Sequence, residues 1–290
     1  MTIRDLLILT LLASLWGGSF LFIKLAVGEI SPPVIVFLRM AIASVCLLPF
    51  ALMRGNIRDN LSLLPHFLVV GTANSLAPFL MIALALVTLN VGVASIIQGI
   101  IPLLSVLLAW VWLKEPLGKR AIAGLPLGLA GVVILAWGDL SFNPQHEGFA
   151  VLLAIGSVFS YSFAAVYAKR FLPRSDPFAT TSFSLGIGAL LLLPWLGPYW
   201  PEQLPSVTAW LSVLGLSLGS TAFAYILFYH MINKIGPGRA STVAFLIPGF
   251  GVLWGVLFLN ETLNLRTIVA FAIILAGMVL TTDVLKSFRK

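Results

Sequence analysis

The sequence predicts an all-α integral membrane protein with ten transmembrane helices, arranged as two inverted five-helix repeats. Three observations support this prediction: the composition, the spacing of apolar runs, and an internal repeat. Of the 290 residues, 60% are hydrophobic and 9% are charged, whereas a soluble domain carries about 25% charged residues. The composition therefore excludes a soluble enzyme, and the single cysteine, Cys46, excludes a disulfide scaffold.

A helix that crosses the bilayer needs about 20 apolar residues, and charged residues, prolines and glycines divide the chain into ten such runs. The predicted spans are 6–26, 33–53, 64–87, 91–113, 120–138, 149–168, 177–196, 207–232, 238–259 and 266–284. Pro78 interrupts the third span and His230 the eighth. The first run lacks a small-x-small cleavage site and holds Trp16-Gly17-Gly18 at its centre, so we expect it to be a retained helix rather than a signal peptide.

The distribution of basic residues predicts the orientation in the membrane. With ten spans, fourteen of the 17 lysines and arginines fall on the side of the two termini, while Lys24 and Arg266 fall on the other side and Arg39 lies within the second span. Because cytoplasmic loops are enriched in Lys and Arg, both termini are predicted to be cytoplasmic. The net charge of +7 is explained in the same way, so no nucleic-acid partner is expected.

The two halves of the chain, 1–145 and 146–290, resemble each other at a fixed offset and are predicted to be the two repeats. Matching residues 146 apart are Pro102 with Pro248, Glu115 with Glu261, Arg120 with Arg266, and Ala94-Ser95 with Ala240-Ser241. Near the start of each half the offset is 145, which pairs Trp16 with Tyr161 and Lys24 with Lys169. Five spans per half is an odd number, so the second repeat enters the membrane inverted. The interface of such repeats is where secondary transporters bind their substrates.

Polar and aromatic residues near the middle of the spans are the candidate substrate-binding and cavity residues. They are Trp16, Ser19, Asn74, Phe79, Ser95, Gln98, Tyr161, Ser220, Tyr225 and Phe245. An unpaired amide in hydrocarbon costs several kcal/mol, so Gln98 and Asn74 are expected to face protein or water. Trp16 and Tyr161 are equivalent in the two repeats and could flank a bound ring. Contact with lipid is the alternative for each aromatic residue.

Two prolines at matched mid-span positions, Pro102 and Pro248, predict helix kinks. Freed carbonyls are tolerated only where they face protein or a water-filled cavity, so the kinks favour the cavity wall, with a packing kink as the alternative. Gly92 and Gly238, one at the start of each of these spans, favour close packing.

Catalytic and metal-binding groups are not predicted, and no cofactor is expected. His66, His146 and His230 have no ligand-like spacing, and no span carries Asp or Glu near its middle. Arg39 lies about six residues, or roughly 9 Å, inside the second span. We expect it to snorkel to the interface or to pair with Glu29, with binding of a substrate carboxylate as the alternative.

Several motifs resemble those of the drug/metabolite transporter superfamily. They are Trp16-Gly17-Gly18-Ser19-Phe20, Ser31-Pro32, Arg39, Leu113-Lys114-Glu115-Pro116-Leu117, Leu259-Asn260-Glu261-Thr262-Leu263, Gly128-x-x-Gly131 and Leu275-Ala276-Gly277. The resemblance covers the whole chain and is to EamA-type bacterial exporters, and within them to the YddG-type aromatic amino-acid exporters. It implies efflux of small metabolites through a central cavity lined mainly by helices one, three, four, six, eight and nine. The related small multidrug transporters exchange protons on a first-helix Glu, which span one lacks.

The sequence therefore predicts a bacterial inner-membrane secondary transporter that exports small metabolites, above all aromatic or hydrophobic amino acids, by alternating access. Its expected partners are the small-molecule substrate and the lipid bilayer, and the oligomeric state is left open, with a monomer among the options. The alternatives are export of a sugar, nucleoside or drug, a membrane-embedded lipid enzyme, and a passive channel. A lipid enzyme requires Asp, His or Arg clustered at one interface, which the sequence does not contain.

Overall fold

A computed structural model describes residues 2–54, 62–137 and 147–281, and these residues form ten helical rods without any strand. The rods are α1 Ile3–Ala26, α2 Pro32–Arg54, α3 Leu64–Thr88, α4 Val91–Leu113, α5 Lys119–Ala136, α6 Glu147–Phe171, α7 Pro177–Leu192, α8 Val207–Ile235, α9 Pro237–Leu259 and α10 Leu265–Thr281. Each coincides with one predicted span, which confirms the all-α class. Within the described residues, eight are long and apolar enough to cross a membrane, and α10 is a shorter apolar helix.

The proposed repeat boundary at 145/146 lies outside the described residues, as do the ends of the predicted spans 120–138 and 266–284. His146 lies outside them as well. The ten rods divide into five before this boundary and five after it.

Contacts between rod ends show that successive rods alternate in direction. At the end of the bundle where α1 begins, called here the amino-terminal end, Lys234 near the end of α8 forms an ion pair of 2.7 Å with Asp5. Asp5 also closes a capping box with Thr2, which satisfies amides that α1 would otherwise leave unpaired. A helix that begins at this end therefore lies beside one that finishes there.

At the other end of the bundle, called the opposite end, the connection after α1 contacts the connection after α7. Glu29 accepts hydrogen bonds from the hydroxyl and the backbone N–H of Ser206, and these bonds lower the pKa of the Glu29 carboxyl, the hydroxyl contributing most. Ser31 Oγ donates to the carbonyl of Tyr199 at 2.6 Å. These links join the first repeat to the second outside the apolar spans.

Equivalent helices of the two repeats pack against each other: α2 lies along α7, and α5 lies along α10. Glycines allow the second pair to approach closely. A Cβ atom on Gly277 would lie 2.6 Å from the Cα of Gly128, and Gly124 is equally crowded by Thr281. This is the small-residue packing that membrane helices use in place of the hydrophobic effect, and it relates the repeats about an axis between them.

The third rod of each repeat contains a π-helical stretch, Gly71–Leu76 in α3 and Gly215–Phe223 in α8. In the sequence Pro78 interrupts the third predicted span, yet α3 continues through it. The π-helical stretch in α3 explains why. In an i→i+5 pattern the residue at position 78 would donate its N–H to the carbonyl of Ala73, but proline has no N–H. Ser160 Oγ donates to that carbonyl instead, at 2.7 Å. The missing N–H is thus replaced from α6.

The fourth rod of each repeat is interrupted. In α4 the helix opens at Gly99 and Ile100, directly before the segment that contains Pro102. In α9 the opening lies at Ser241 and Thr242, and Pro248 sits further on, inside the helix Val243–Leu259. By the 146-residue offset the opening in α9 comes four residues earlier than the opening in α4, and the proline adjoins the opening only in α4.

Candidate functional site

A cavity of about 370 Å³ lies between the two halves of the bundle. It is lined by Trp16, Ser19, Phe20, Arg39, Asn74, Phe79, Gln98, Gly99, Ile101, Pro102, Tyr161, Ala165, Tyr225, Phe228, Ala244, Ile247 and Pro248. These residues come from α1, α2, α3, α4, α6, α8 and α9. Ala165, Phe228 and Ala244 lie six or seven residues from the amino-terminal-end tips of their rods, which is about two helical turns. The cavity therefore extends toward the amino-terminal end.

Seven of the ten residues singled out from the sequence line this cavity. They are Trp16, Ser19, Asn74, Phe79, Gln98, Tyr161 and Tyr225. Both prolines, Pro102 and Pro248, line it too. Because proline has no N–H, neither can donate to the carbonyl four residues earlier, which belongs to Gln98 in α4 and to Ala244 in α9. Both of those residues are part of the cavity wall.

The other three sequence candidates lie outside the cavity lining. Ser95 is fully buried where α4 crosses α9, and its hydroxyl donates to the carbonyl of Gly92 at 2.8 Å. Ser220 is fully buried in the π-helical stretch of α8, and its hydroxyl has no hydrogen-bond partner among the described residues. Phe245 is half-buried and packs against the apolar core. Ser95 therefore serves helix packing.

Arg39 is the cavity residue that sequence reasoning assigned elsewhere. Its side chain is 7% exposed, and its guanidinium carbon lies 3.6 Å from the centroid of the Phe79 ring. The expectation that it snorkels or pairs with Glu29 is wrong, because Glu29 is engaged by Ser206 and Arg39 is buried in the bundle. Among the described residues that line the cavity, Arg39 is the only charged one.

The π-helical stretch of α8 orients Arg39. Thr221 Oγ1 donates to the carbonyl of Leu216, five residues earlier, at 2.8 Å, and accepts a hydrogen bond of 3.0 Å from Arg39 Nε. Tyr161 and Tyr225 line the same cavity as the Arg39 side chain. In the described part of the chain, Arg39 has no carboxylate partner, and the contacts of its guanidinium group are the Phe79 ring and the Thr221 hydroxyl.

Aromatic rings form the walls on either side of this charge. Trp16 meets Phe228 and Tyr225 edge to face, with ring centroids 5.1 and 6.2 Å apart. The rings of Phe79 and Tyr161 are tilted by 59° to one another, with centroids 6.3 Å apart. Such contacts fix ring orientation in a packed core. The two aromatic groups come from both repeats, so a molecule in the cavity would touch both.

Neutral polar groups complete the lining. Gln98 Nε2 donates to Ser157 Oγ at 2.7 Å, which links α4 to α6, while Gln98 Oε1 has no hydrogen-bond partner among the described residues. Asn74, in the π-helical stretch of α3, lines the same cavity as Tyr225. The site thus combines one cation, two amides and several rings, and its described lining contains no acidic side chain.

Comparisons with known proteins agree with this architecture. The EamA-like transporter family model matches the chain twice, over residues 4–137 and 148–283. The chain is 26% identical over 277 residues to an uncharacterized transporter of Archaeoglobus fulgidus, covering 94% of this chain and 96% of that protein.

Two further relatives are the uncharacterized transporter YvbV of Bacillus subtilis, 28% identical over 96% of this chain and 91% of its own length, and the uncharacterized inner membrane transporter YedA of Escherichia coli, 28% identical over 92% and 87%. A solved crystal structure superposes over 100% of both chains with a TM-score of 0.67 at 22% identity, a likeness of fold.

Proposed function

Because the chain belongs to the EamA-like transporter family, we propose that it is a secondary transporter that exports small metabolites. Transport proceeds by alternating access through the central cavity. The proposed substrates are amino acids with aromatic or hydrophobic side chains. The proposal keeps the repeats at 1–145 and 146–290. It assigns the substrate contacts to Trp16, Ser19, Asn74, Phe79, Gln98, Tyr161 and Tyr225, together with Arg39.

The observation that carries the proposal is the buried charge of Arg39. A guanidinium enclosed in a membrane protein is costly unless it is compensated, and here it is held by a ring and a hydroxyl. A substrate carboxylate would supply the missing charge, and a guanidinium can bind it through two parallel hydrogen bonds. The charge thus favours a carboxylate-bearing substrate.

The remaining lining supports an amphipathic substrate. Trp16, Phe79, Tyr161 and Phe228 offer aromatic faces and edges for an apolar side chain. Gln98 Oε1, which has no hydrogen-bond partner among the described residues, is an acceptor suited to an ammonium group. About 370 Å³ is within the usual range of about 300–1,000 Å³ for small-molecule sites.

Alternative substrates fit this lining less well. A cationic drug would meet the charge of Arg39, and the described lining offers no carboxylate to attract it. A sugar or nucleoside would need more hydrogen-bond partners than two amides and a few hydroxyls provide. A membrane-embedded lipid enzyme disagrees with the family, and the two inverted halves favour alternating access over a passive channel.

We propose further that the amino-terminal end of the bundle faces the cytoplasm of a bacterial cell, in its inner membrane. The excess of Lys and Arg at that end supports this orientation. In a Cys46→Ala background, a cysteine at Glu202 should react with an impermeant thiol reagent on intact spheroplasts, whereas a cysteine at Lys119 should not. The reverse pattern would contradict the orientation.

The function is tested with purified protein in liposomes. Liposomes loaded with radiolabelled phenylalanine, tryptophan or leucine should release them faster than protein-free liposomes, and faster than they release glucose, uridine or a quaternary ammonium dye. Release of the sugar, the nucleoside or the dye in preference to all three amino acids would overturn the substrate assignment.

A further inference from the structure

Two equivalent glutamates end α4 and α9 with the same backbone geometry. The residue before each has a positive φ, 59° at Lys114 and 53° at Asn260. The N–H of Glu115 donates to the carbonyl of Ala109 at 3.4 Å, and that of Glu261 donates to Gly255 at 3.2 Å, both six residues back. The two helix ends are therefore copies of one another, related by the 146-residue offset.

The two carboxylates nevertheless make different contacts. Glu261, at the opposite end, accepts hydrogen bonds from the backbone N–H of Val91 at 2.6 Å and of Gly92 at 2.9 Å. These are the first residues of α4, so Glu261 joins the end of α9 in the second repeat to the start of α4 in the first. In the segment Val91–Gln98 behind this contact, every residue except the half-buried Val93 is buried, so side chains fill the bundle there.

The equivalent contact is not made at the amino-terminal end. Glu115 forms an ion pair of 2.6 Å with Lys169, a half-exposed pair on the surface. The residues that correspond to Val91 and Gly92 are Pro237 and Gly238, at the start of α9, and both are exposed. A Cβ atom on Gly238 would meet nothing within 4 Å, so there is open space where the equivalent glutamate would sit.

The counterpart of Lys169 is also engaged differently. Lys24, which is equivalent to Lys169, donates through Nζ to the carbonyls of Leu86 at 2.9 Å and Leu89 at 3.1 Å, at the end of α3. At each end of the bundle there is thus one glutamate, one lysine and one rod start. At the opposite end the glutamate accepts hydrogen bonds from the start of the rod. At the amino-terminal end the equivalent glutamate forms an ion pair with the lysine.

We infer that Glu115 and Glu261 are alternating latches that select which end of the cavity is closed, an inference that rests on the alternating access of the proposed function. In the present state Glu261 closes the opposite end, and the Glu115–Lys169 pair leaves the amino-terminal end open. In the other state Glu115 accepts from the N–H groups at the start of α9, beginning with Gly238, while Glu261 releases α4 and pairs with Lys24.

The carboxylate of Glu261 has more room against its own helix than the carboxylate of Glu115 would have at the equivalent position. A Cβ atom on Gly255 would overlap Glu261 Oε2, so only glycine leaves room for the carboxylate against α9. The equivalent residue behind Glu115 is Ala109, whose methyl group would crowd the Glu115 carboxylate in the matching position. The difference favours the state in which Glu261 is latched, as observed.

The experiment measures distances between spin labels by double electron–electron resonance, in a Cys46→Ala protein reconstituted in nanodiscs. One label pair, at Lys119 and Asn233, spans the amino-terminal end. The other, at Thr88 and Leu265, spans the opposite end at equivalent positions, and all four residues are exposed. Glu261→Gln should shift the population by at least about tenfold, as loss of about 1.4 kcal/mol of charge-assisted bonding implies, with the 88–265 distance longer and the 119–233 distance shorter.

Glu115→Gln is the matched control, because the same chemical change at the equivalent residue should leave the present state populated. Gly255→Ala should reproduce the effect of Glu261→Gln without removing any charge. The inference is overturned if Glu261→Gln leaves both distances at their parental values, or if Glu115→Gln also lengthens the 88–265 distance. The measurement needs no substrate, so a wrong substrate assignment would not affect it.

Discussion

The guanidinium carbon of Arg39 lies 3.6 Å from the centroid of the Phe79 ring, which places a buried positive charge from α2 on an aromatic face from α3. A desolvated contact of this kind stabilises the cation by about 2 kcal/mol or more. The ring holds the charge but does not neutralise it, because it carries no net charge of its own. Arg39 therefore keeps a net positive charge that an anion can neutralise.

Replacement of Arg39 by Gln should weaken binding of phenylalanine by about tenfold to hundredfold, the usual loss when a charge-assisted hydrogen bond to a carboxylate is removed. Binding of phenylethylamine, which lacks the carboxylate, should change much less. Isothermal titration calorimetry on the purified protein measures both. Equal losses for the two ligands would show that Arg39 supports the fold of the cavity rather than the carboxylate.

Replacement of Trp16 or Gln98 by Ala should lower amino-acid efflux at least about fivefold while the folded yield changes little, since each loses a cavity contact worth about 1 kcal/mol or more. Phe245→Ala is the control, because Phe245 is a mid-span aromatic residue outside the cavity lining. Efflux from liposomes and the monodisperse fraction on gel filtration are the measurements. Parental efflux in both test variants would contradict the cavity assignment.

Replacement of Gly277 by Val should destabilise the protein by about 1–3 kcal/mol, because the new side chain would collide with the backbone of Gly128 on α5. Gly249→Ala is the control, since a Cβ atom there meets nothing within 4 Å. Thermal unfolding in detergent, followed by intrinsic tryptophan fluorescence, measures the difference. The packing argument fails if the two variants have the same midpoint.

Transport should be facilitative, or only loosely coupled to protons, because the described lining of the cavity contains no carboxylate whose protonation could compete with substrate. His230 is exposed near the end of α8 and lies outside the cavity lining. With equal substrate on both sides of the liposome membrane, an imposed pH gradient should give no sustained accumulation. Accumulation that collapses with an ionophore and is lost in His230→Ala would make His230 the coupling residue.

The apolar runs were sufficient to predict the ten helices, because the bilayer demands long runs and charged residues mark where each run ends. The repeat offset was sufficient to pair Trp16 with Tyr161 across the cavity, since equivalent residues of two repeats lie at equivalent depths. Single-sequence patterns therefore capture what depends on depth in the membrane.

The sequence patterns did not predict the direction in which a side chain points around the axis of its helix. Ser95 and Gln98 lie within one turn of each other, yet Gln98 lines the cavity and Ser95 packs against α9. Arg39 was assigned to the interface because a charge near a span end usually reaches water. Its partners, Phe79 and Thr221, are 40 and 182 residues away in sequence, and only the folded bundle brings them together.

The π-helical stretches of α3 and α8 have a consequence for the angular phase of the cavity lining. In a regular helix each residue advances by about 100°, so Asn74 and Phe79, five residues apart, would point in directions about 140° apart. The wider i→i+5 turn over Gly71–Leu76 takes up extra residues per turn and brings both side chains toward the same space. If the same residues formed a regular helix instead, everything on one side of this stretch would be rotated by about 100° relative to the rest. The face that α3 presents to the cavity therefore depends on a local irregularity of its backbone, which an apolar-periodicity pattern does not reveal.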